Sequence, residues 1–397
     1  MARAYLRLKN CSLFNQKIAD PDEANPKAGW LKRGSGFLEK GRFCGGGTFS
    51  GSTKIAEMEK QFLLGTGNAF AYLKSLGEKE CNRFIVEILS AEGLESSRIE
   101  GEILDRESLQ SSIKQHFGLA KKARKRADKE SGMAELLLSV YETFHLPLTH
   151  KMLSTWHSML FTDQSHISDS GKYRTHAEPM QIVSNRYDSS VVFFEPPPSA
   201  KVFAEMQAYI DWFNNPTPTS STLGRAAIAH IYFESIHPFE DGNGRIGRIL
   251  VEKILSQGVG RSVLIAVSKV LENEKKTYYS ELEKCNRTLE IQDWVEYFAQ
   301  AILRAQEESV NLLYFLIKKS KMLIALSRQL NSRQEKALLR MFAEGPTGFK
   351  GGLSAENYIS ITGVSRATAT RDLADLVRKE ALLKTGELRH TRYWLNL

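Results

Sequence analysis

From Lys54 onward, apolar residues recur at helical spacing. Ile55, Met58 and Phe62 share one face, and Phe84, Ile85, Ile88 and Leu89 repeat the pattern in a second segment. The same period predicts helices near 103–117, 133–144, 148–161, 200–214, 222–236, 244–257, 274–285 and 291–318, separated by Gly, Pro and Asn. One interior stretch departs from it. In residues 180–198 two β-branched and aromatic runs flank Asn185 to Ser190, and three prolines end the second run, which predicts a hairpin projecting from helices. After Leu330 the pattern changes again: a helix from Arg333 to Ala343, a Gly-rich link, a short helix from Ser354 to Ile361, a turn at Thr362 to Val364, and a longer helix with Ser365 as N-cap. That is a helix-turn-helix outline, and Leu382 to Lys384 with Arg389 to Trp394 read as a small hairpin or wing behind it. Residues 1–53 carry no sustained period, and no function is assigned to this extension.

Composition narrows the class. With 397 residues, 42% hydrophobic and 25% charged, the chain is ordinary folded protein of two or three domains, not a disordered or low-complexity sequence. No run reaches the roughly 18 apolar residues of a membrane span, and the start has no apolar stretch of signal-peptide length. The expectation is a soluble cytoplasmic protein without a membrane partner. Cys11, Cys44, Cys81 and Cys285 lie too far apart for a zinc site or a disulfide scaffold, so free thiols are expected. The net charge of +8 is concentrated in residues 121–129, with six basic and one acidic residue, and in residues 333–397, with eleven and seven. A run such as 121–129 is read first as a solvated face.

The densest chemistry lies in His237-Pro-Phe-Glu-Asp-Gly-Asn-Gly-Arg-Ile-Gly-Arg248. Before it, Ile228, Ile231, Tyr232 and Ser235 mark a buried helical face, and Pro238 stops that helix at His237. After it, Ile246, Ile249, Leu250 and Ile254 start a helix expected to end at Gly258. Gly242 and Gly244 let the backbone turn consecutive N–H groups outward at the new helix's start, an anion-binding concavity suited to phosphate. Arg245 and Arg248 share the first turns and can reach further phosphates, and Asp241 supplies a carboxylate for Mg²⁺ bridging phosphate oxygens. His237 is the side chain able to take a proton near neutral pH. Together these parts suit transfer of a piece of a nucleoside triphosphate to a substrate nucleophile. A dinucleotide fingerprint is excluded because a helix, not a strand, precedes the glycines, and a calcium loop because Phe239 stands where Asp is needed. A plain turn between two core helices would explain the glycines and Pro238 but not the convergence of His, Asp, Asn and two Arg.

This segment resembles the signature loop of the Fic family: His-Pro-Phe, any residue, Asp or Glu, Gly-Asn-Gly-Arg, two residues, Arg. Every fixed position matches. The resemblance extends to Gly171-Lys-Tyr-Arg174, the hairpin with its prolines, and Tyr278-Tyr279 with Asn286, over residues 80–305. It implies an all-α Fic-type bundle with a small β-hairpin flap, and an AMP transfer from ATP to a protein hydroxyl on Ser, Thr or Tyr. His237 would be the base and Asp241 the Mg²⁺ ligand. ATP would lie against Gly242, Asn243, Gly244, Arg245, Ile246, Gly247 and Arg248, with Asn286 touching the nucleotide. Gln181, Ile182 and Val183, with Ser184, would form the flap over the adenine side and align the target backbone as an added strand. Phosphate-transferring relatives replace the second glycine of the nest, which here is Gly244.

Upstream, Ser96-Ser97-Arg98-Ile99-Glu100-Gly101 resembles the family's inhibitory motif. A glutamate pairing with Arg248 would occupy that guanidinium and leave ATP bound out of line; the same glutamate could position water to remove AMP again. Ser97-x-x-Glu100 is equally a capping box, which needs no brake. Residues 54–130 are then a helical region bearing the inhibitory motif, 131–320 the catalytic core, and 333–397 a winged helix-turn-helix whose partner is DNA or another protein. Arg366, Thr368, Thr370 and Arg371 fall at the end that would meet bases. The protein's own side chains are expected targets, and a homodimer stays open. The competing function is a DNA-binding regulator whose core only senses nucleotide.

Overall fold

The computed structural model describes residues 53–120, 128–162, 170–183, 192–217, 221–285, 291–346 and 348–397. The N-terminal extension and most of the basic run at 121–129 lie outside them. The described elements are α1 (Thr53–Ser75), α2 (Glu78–Ile99), α3 (Arg106–His116), α4 (Lys129–Thr143), α5 (His150–Leu160), β1 (Ile182–Val183), β2 (Val192–Phe194), α6 (Ser199–Asn214), α7 (Thr222–Ile236) and α8 (Asn243–Val259). They continue with α9 (Val267–Asn273), α10 (Lys275–Cys285), α11 (Gln292–Ala325), α12 (Ser332–Ala343), α13 (Ala355–Thr362), α14 (Arg366–Arg378), β3 (Leu382–Thr385), a 3₁₀ turn and β4 (Arg392–Leu395). The helices expected from periodicity are present. The short α9 is an addition, and α8 runs past Gly258 to a left-handed cap at Gly260, φ 73°. Gly258 is needed instead for contact, since a Cβ there would lie 2.4 Å from Thr222 Cγ2.

Residues 53–67 and 85–307 belong to one compact unit, and 68–84 with 308–397 to another. In the first, α7 and α8 pack against each other at the centre, flanked by α6, α5 and α4. Both are buried on nearly all sides, as expected for helices apolar around most of their circumference. α7 and the neighbouring helices end on caps supplied from far along the chain. Glu59 of α1 accepts the N–H groups of Thr222 at 3.0 Å and Leu223 at 2.9 Å, and Glu92 of α2 accepts that of Ser268 at 2.8 Å. Lys253 of α8 donates to the carbonyls of Thr143, Phe144 and Leu146 at the end of α4. Each charge has the sign the helix end favours. The expected hairpin is antiparallel, pairing Ile182 with Phe194 and Val183 with Val192. Its turn, including Asn185 to Ser190, and Ser184 lie outside the described residues.

In the second unit, Leu338, Met341, Phe342, Leu353, Tyr358, Leu373, Leu376 and Leu382 form a core beneath α12, α13 and α14. Asp372 ties these helices together, accepting from Arg333 Nε at 2.9 Å and the Tyr358 hydroxyl at 3.0 Å. Ser365 caps α14 and Gly363 ends α13 with φ 75°. Leu382 pairs with Leu395 and Thr385 with Arg392 in the antiparallel β3–β4 sheet.

Candidate active site

The site is the loop between α7 and α8. Pro238 forbids a further helical residue, and His237 adopts the left-handed region at φ 49°, its N–H still donating to Phe233 O at 3.0 Å. The helix end is met by Arg174, whose Nε donates to His237 O at 2.9 Å and Nη2 to Ile236 O at 3.3 Å. Nη1 reaches Ser199 Oγ, Nη2 also Pro197 O, and the Arg174 N–H donates to Pro238 O at 2.9 Å. One buried guanidinium therefore joins the loop to the segment behind the hairpin.

Inside the loop, Asn243 closes a ring: Oδ1 accepts from the Phe239 N–H at 2.9 Å and Nδ2 donates to Phe239 O at 2.7 Å. Its side chain braces the turn, which leaves its main-chain N–H as the group able to face an anion. His157 stacks on Phe239 at 4.0 Å between centroids. Its Nδ1 accepts the Gly171 N–H at 2.9 Å, so Nε2 carries the proton and donates to Asp241 O at 3.0 Å. Burial pushes this imidazole down to about 4, which keeps it neutral in that role.

Gly242 begins α8 with φ 80°, and its N–H goes to Asp241 Oδ1 at 2.6 Å. The first-turn N–H groups of Asn243, Gly244 and Arg245 have no helical carbonyl to bind. Gly244 is glycine for a different reason: a Cβ would stand 2.0 Å from Glu100 Oε1. Burial first, and then the charge of Arg174, hold His237 down to about 4, so the imidazole is neutral and able to accept a proton.

Both arginines are occupied by carboxylates from the end of α2. Arg248 Nη2 donates to Glu100 Oε1 at 2.8 Å and to Ser96 O at 2.8 Å, while Nε donates to Ser96 Oγ at 2.9 Å. Burial works against its charge, but Glu100 more than offsets this and raises its pKa. Arg245 Nη1 pairs with Glu102 Oε2 at 2.6 Å and lies over the Phe161 ring. The backbone explains how two glutamates arrive together. Ser96 to Ile99 close a helix rather than open one: Gly101, φ 84°, donates to Arg98 O and Glu102 to Ser97 O, the pattern of a Schellman cap. The capping-box reading of Ser97 and Glu100 is thereby replaced.

The structure thus brings together His237, Asp241, the α8 amides, Arg245, Arg248 and Glu100. Ile246 and Gly247 lie on the same turn but face inward, buried in the bundle. Gln181 and Ile182 sit on the hairpin, where Gln181 donates to Glu195 at 2.9 Å; of Val183 only the backbone is described, and Asn286 lies outside the described residues. Residues 96 to 102 showed one carboxylate by motif but not the second, Glu102, although Gly101 followed by Glu is a readable signal for a capped end. His157 and the pinning role of Arg174 carry no local sequence signal.

Residues 147–255 match the model of the Fic/DOC family. The segment that carries the loop is thus similar to the Fic/DOC family. A second match, to a domain of unknown function, DUF4172, covers residues 50–119 and so includes both glutamates that meet the Fic loop. Among relatives, a probable protein adenylyltransferase of Aquifex aeolicus is 41% identical over 73 residues, 18% of this chain and 22% of its own. The protein adenylyltransferase Fic of Nematostella vectensis is 30% identical over 133 residues, 32% of this chain and 29% of its own. The matched stretches span less than a third of either relative. The crystal structure of a Fic family protein from Desulfovibrio desulfuricans superposes with a TM-score of 0.50 at 20% identity, covering 87% of this chain and 96% of that one, which establishes the shared Fic fold.

Proposed function

We propose that the Fic domain transfers AMP from ATP to a hydroxyl on a protein side chain, Ser, Thr or Tyr, and that Glu100 holds it at rest. The observation that carries this is a neutral, buried His237 beside the unpaired first-turn amides of α8 and two arginines. The adenylyltransferase names of the relatives support it. In the forward step His237 Nε2 takes the hydroxyl proton as that oxygen attacks the α-phosphorus. The bond to the bridging oxygen breaks and pyrophosphate leaves. The amides of Asn243, Gly244 and Arg245 face the developing charge, and Arg245 and Arg248, once freed, hold the outer phosphates. β1 offers a strand edge on which a target backbone can lie.

Among the described residues no set of three His, Cys, Asp or Glu side chains is arranged to hold a metal. The exposed Asp241 carboxylate suits Mg²⁺, which is carried mostly by phosphates and water and, when bound, neutralises phosphate charge. Glu100 is partly exposed and stands where it can draw a proton from water, which supports removal of AMP by the same site.

The test is incubation with ATP labelled at the α-phosphate. Label is expected in the protein, dependent on His237, and none from the γ-position; γ-label alone would mean phosphoryl transfer and would sink the reading. Glu102→Gln removes the second carboxylate and should tighten ATP binding about fivefold, since its single hydrogen bond to Arg245 competes with about 1 kcal/mol. Titration calorimetry with ATP checks this, and unchanged affinity would exclude Glu102 from the competition.

We further read residues 333–397 as a winged helix-turn-helix facing DNA. Arg366, Thr370 and Arg371 are exposed at the start of α14, and Lys384 and Arg389 are exposed along the wing. Binding to duplex DNA that weakens with salt and is lost in Arg371→Ala supports it; binding indifferent to Arg371 speaks for protein docking instead.

A further inference from the structure

Resting on the AMP-transfer reading, a difficulty remains with the base. A buried imidazole beside Arg174 is well suited to being neutral and poorly suited to becoming a cation, yet accepting the hydroxyl proton makes it one. Some group facing Nδ1 must favour the charged ring. Two oxygens do, and both belong to Glu234, three residues earlier on α7. Its main-chain carbonyl lies 3.4 Å from Nδ1 and its Oε2 lies 3.7 Å away. The other carboxyl oxygen, Oε1, is buried without a hydrogen-bond partner, next to the position a Cβ on Gly247 would occupy, 2.9 Å from it.

We propose that Glu234 is a positioning residue for His237: its carbonyl and carboxyl hold the ring with the proton on Nδ1, turn the bare Nε2 to the hydroxyl, and its carboxylate stabilises the imidazolium as that proton arrives. The proton passes from the hydroxyl oxygen to Nε2, Nδ1–H stays in place, and the ring loses the Nε2 proton to water after pyrophosphate departs. Glu234 itself stays unprotonated through the step.

The surroundings of Glu234 indicate when it can do this. Facing it are His237 and His230 along α7, Glu100 beyond α2, Arg248 on α8, Tyr278 and Tyr279 on α10, and Tyr209 on α6. Burial first, and then the charge of Glu100, push its carboxyl up to about 8, with Arg248 opposing. At rest it is therefore largely protonated at neutral pH. Withdrawal of Glu100 removes a raising charge and leaves the opposing arginine, so the carboxyl ionises at lower pH. Since His237 titrates near 4, a rise of rate with pH around neutrality belongs to Glu234.

The test is kcat for α-phosphate labelling against pH in Glu100→Gly, with and without Glu234→Gln. The carboxylate-bearing chain is expected to gain rate between about pH 6 and 8 and to exceed the Gln variant by roughly 10- to 100-fold at the upper end, with KM for ATP unchanged. A Gln variant with the parental rate and pH profile overturns the proposal. Nitrogen NMR of the His237 ring in the unsubstituted chain gives an answer that needs neither activity nor a substituted fold. Nδ1 should be protonated and Nε2 bare at about pH 9, where the Glu234 carboxyl is ionised, and the reverse tautomer also overturns it. If Glu100→Gly shows no His237-dependent labelling, the AMP-transfer reading fails while the ring tautomer still decides the placement of Glu234.

Discussion

Glu100→Gly is expected to raise the initial rate of α-phosphate labelling by roughly 100-fold at saturating ATP. Arg248 is buried, with a side-chain exposure of 1%, and its ion pair with Glu100 is the competitor that any phosphate must displace. Breaking a buried pair costs about 3–5 kcal/mol when the partner charge is left unpaired, and a phosphate arriving at Arg248 recovers most of that. A residual difference of about 2–3 kcal/mol between braked and released chains corresponds to about 30- to 150-fold in rate or occupancy. The same argument predicts a signature in stability. Without nucleotide the variant leaves a buried guanidinium held only by Ser96 Oγ and O, so its thermal midpoint should fall, and ATP should restore it. A variant no faster than its parent, whose midpoint ignores ATP, would mean that Glu100 is only the capped end of a helix.

That alternative could not be dismissed from the sequence, and the reason is local. Ser97 with Glu100 satisfies the spacing of a helix start, while Gly101 followed by Glu102 fits a helix end equally well, so the local sequence supports both. The deciding residue is Gly101, whose positive φ lets Glu102 fold back on Ser97 O. The loop from His237 to Arg248 was far more legible, because its proline, its glycines and its charged residues each constrain the backbone or the chemistry within a few positions. What stayed hidden depends on partners distant in the chain. α9 begins on a carboxylate from Glu92, 176 residues away, and has no capping residue of its own to advertise it. Gly171 to Arg174 is marked by the family resemblance, but the role of Arg174 shows only when the helix end it caps is found 63 residues later. Helical periodicity finds the faces that pack, whereas the termini of packed helices are satisfied by whichever side chain the tertiary structure delivers.

Lys253 puts that principle to its largest test on stability. It is fully buried, in the middle of the helix that carries Arg245 and Arg248, and its ammonium donates to Thr143 O at 3.1 Å, Phe144 O at 2.8 Å and Leu146 O at 2.6 Å. All three protons are used, and the acceptors lie at the end of α4 and just beyond it, where the helix dipole is negative. Lys253→Met keeps the stem and removes the donor. Thr143 O keeps the Leu146 N–H at 3.0 Å and Leu146 O keeps Gln257 Nε2 at 3.3 Å, so Phe144 O is the carbonyl that loses its donor, and the variant should lose roughly 1–3 kcal/mol, partly offset by the ammonium no longer having to be desolvated. Urea unfolding followed by circular dichroism should show an earlier midpoint with an unchanged slope. A loss below about 0.5 kcal/mol would mean that water replaces the ammonium at the α4 end without penalty. Because Lys253 lies two turns beyond Arg245, the loss should extend to function: α8 would no longer be anchored to α4, and the first-turn amides would be less firmly held. Released AMP transfer in Glu100→Gly should therefore fall with Lys253→Met through kcat, at temperatures where the fold is still intact.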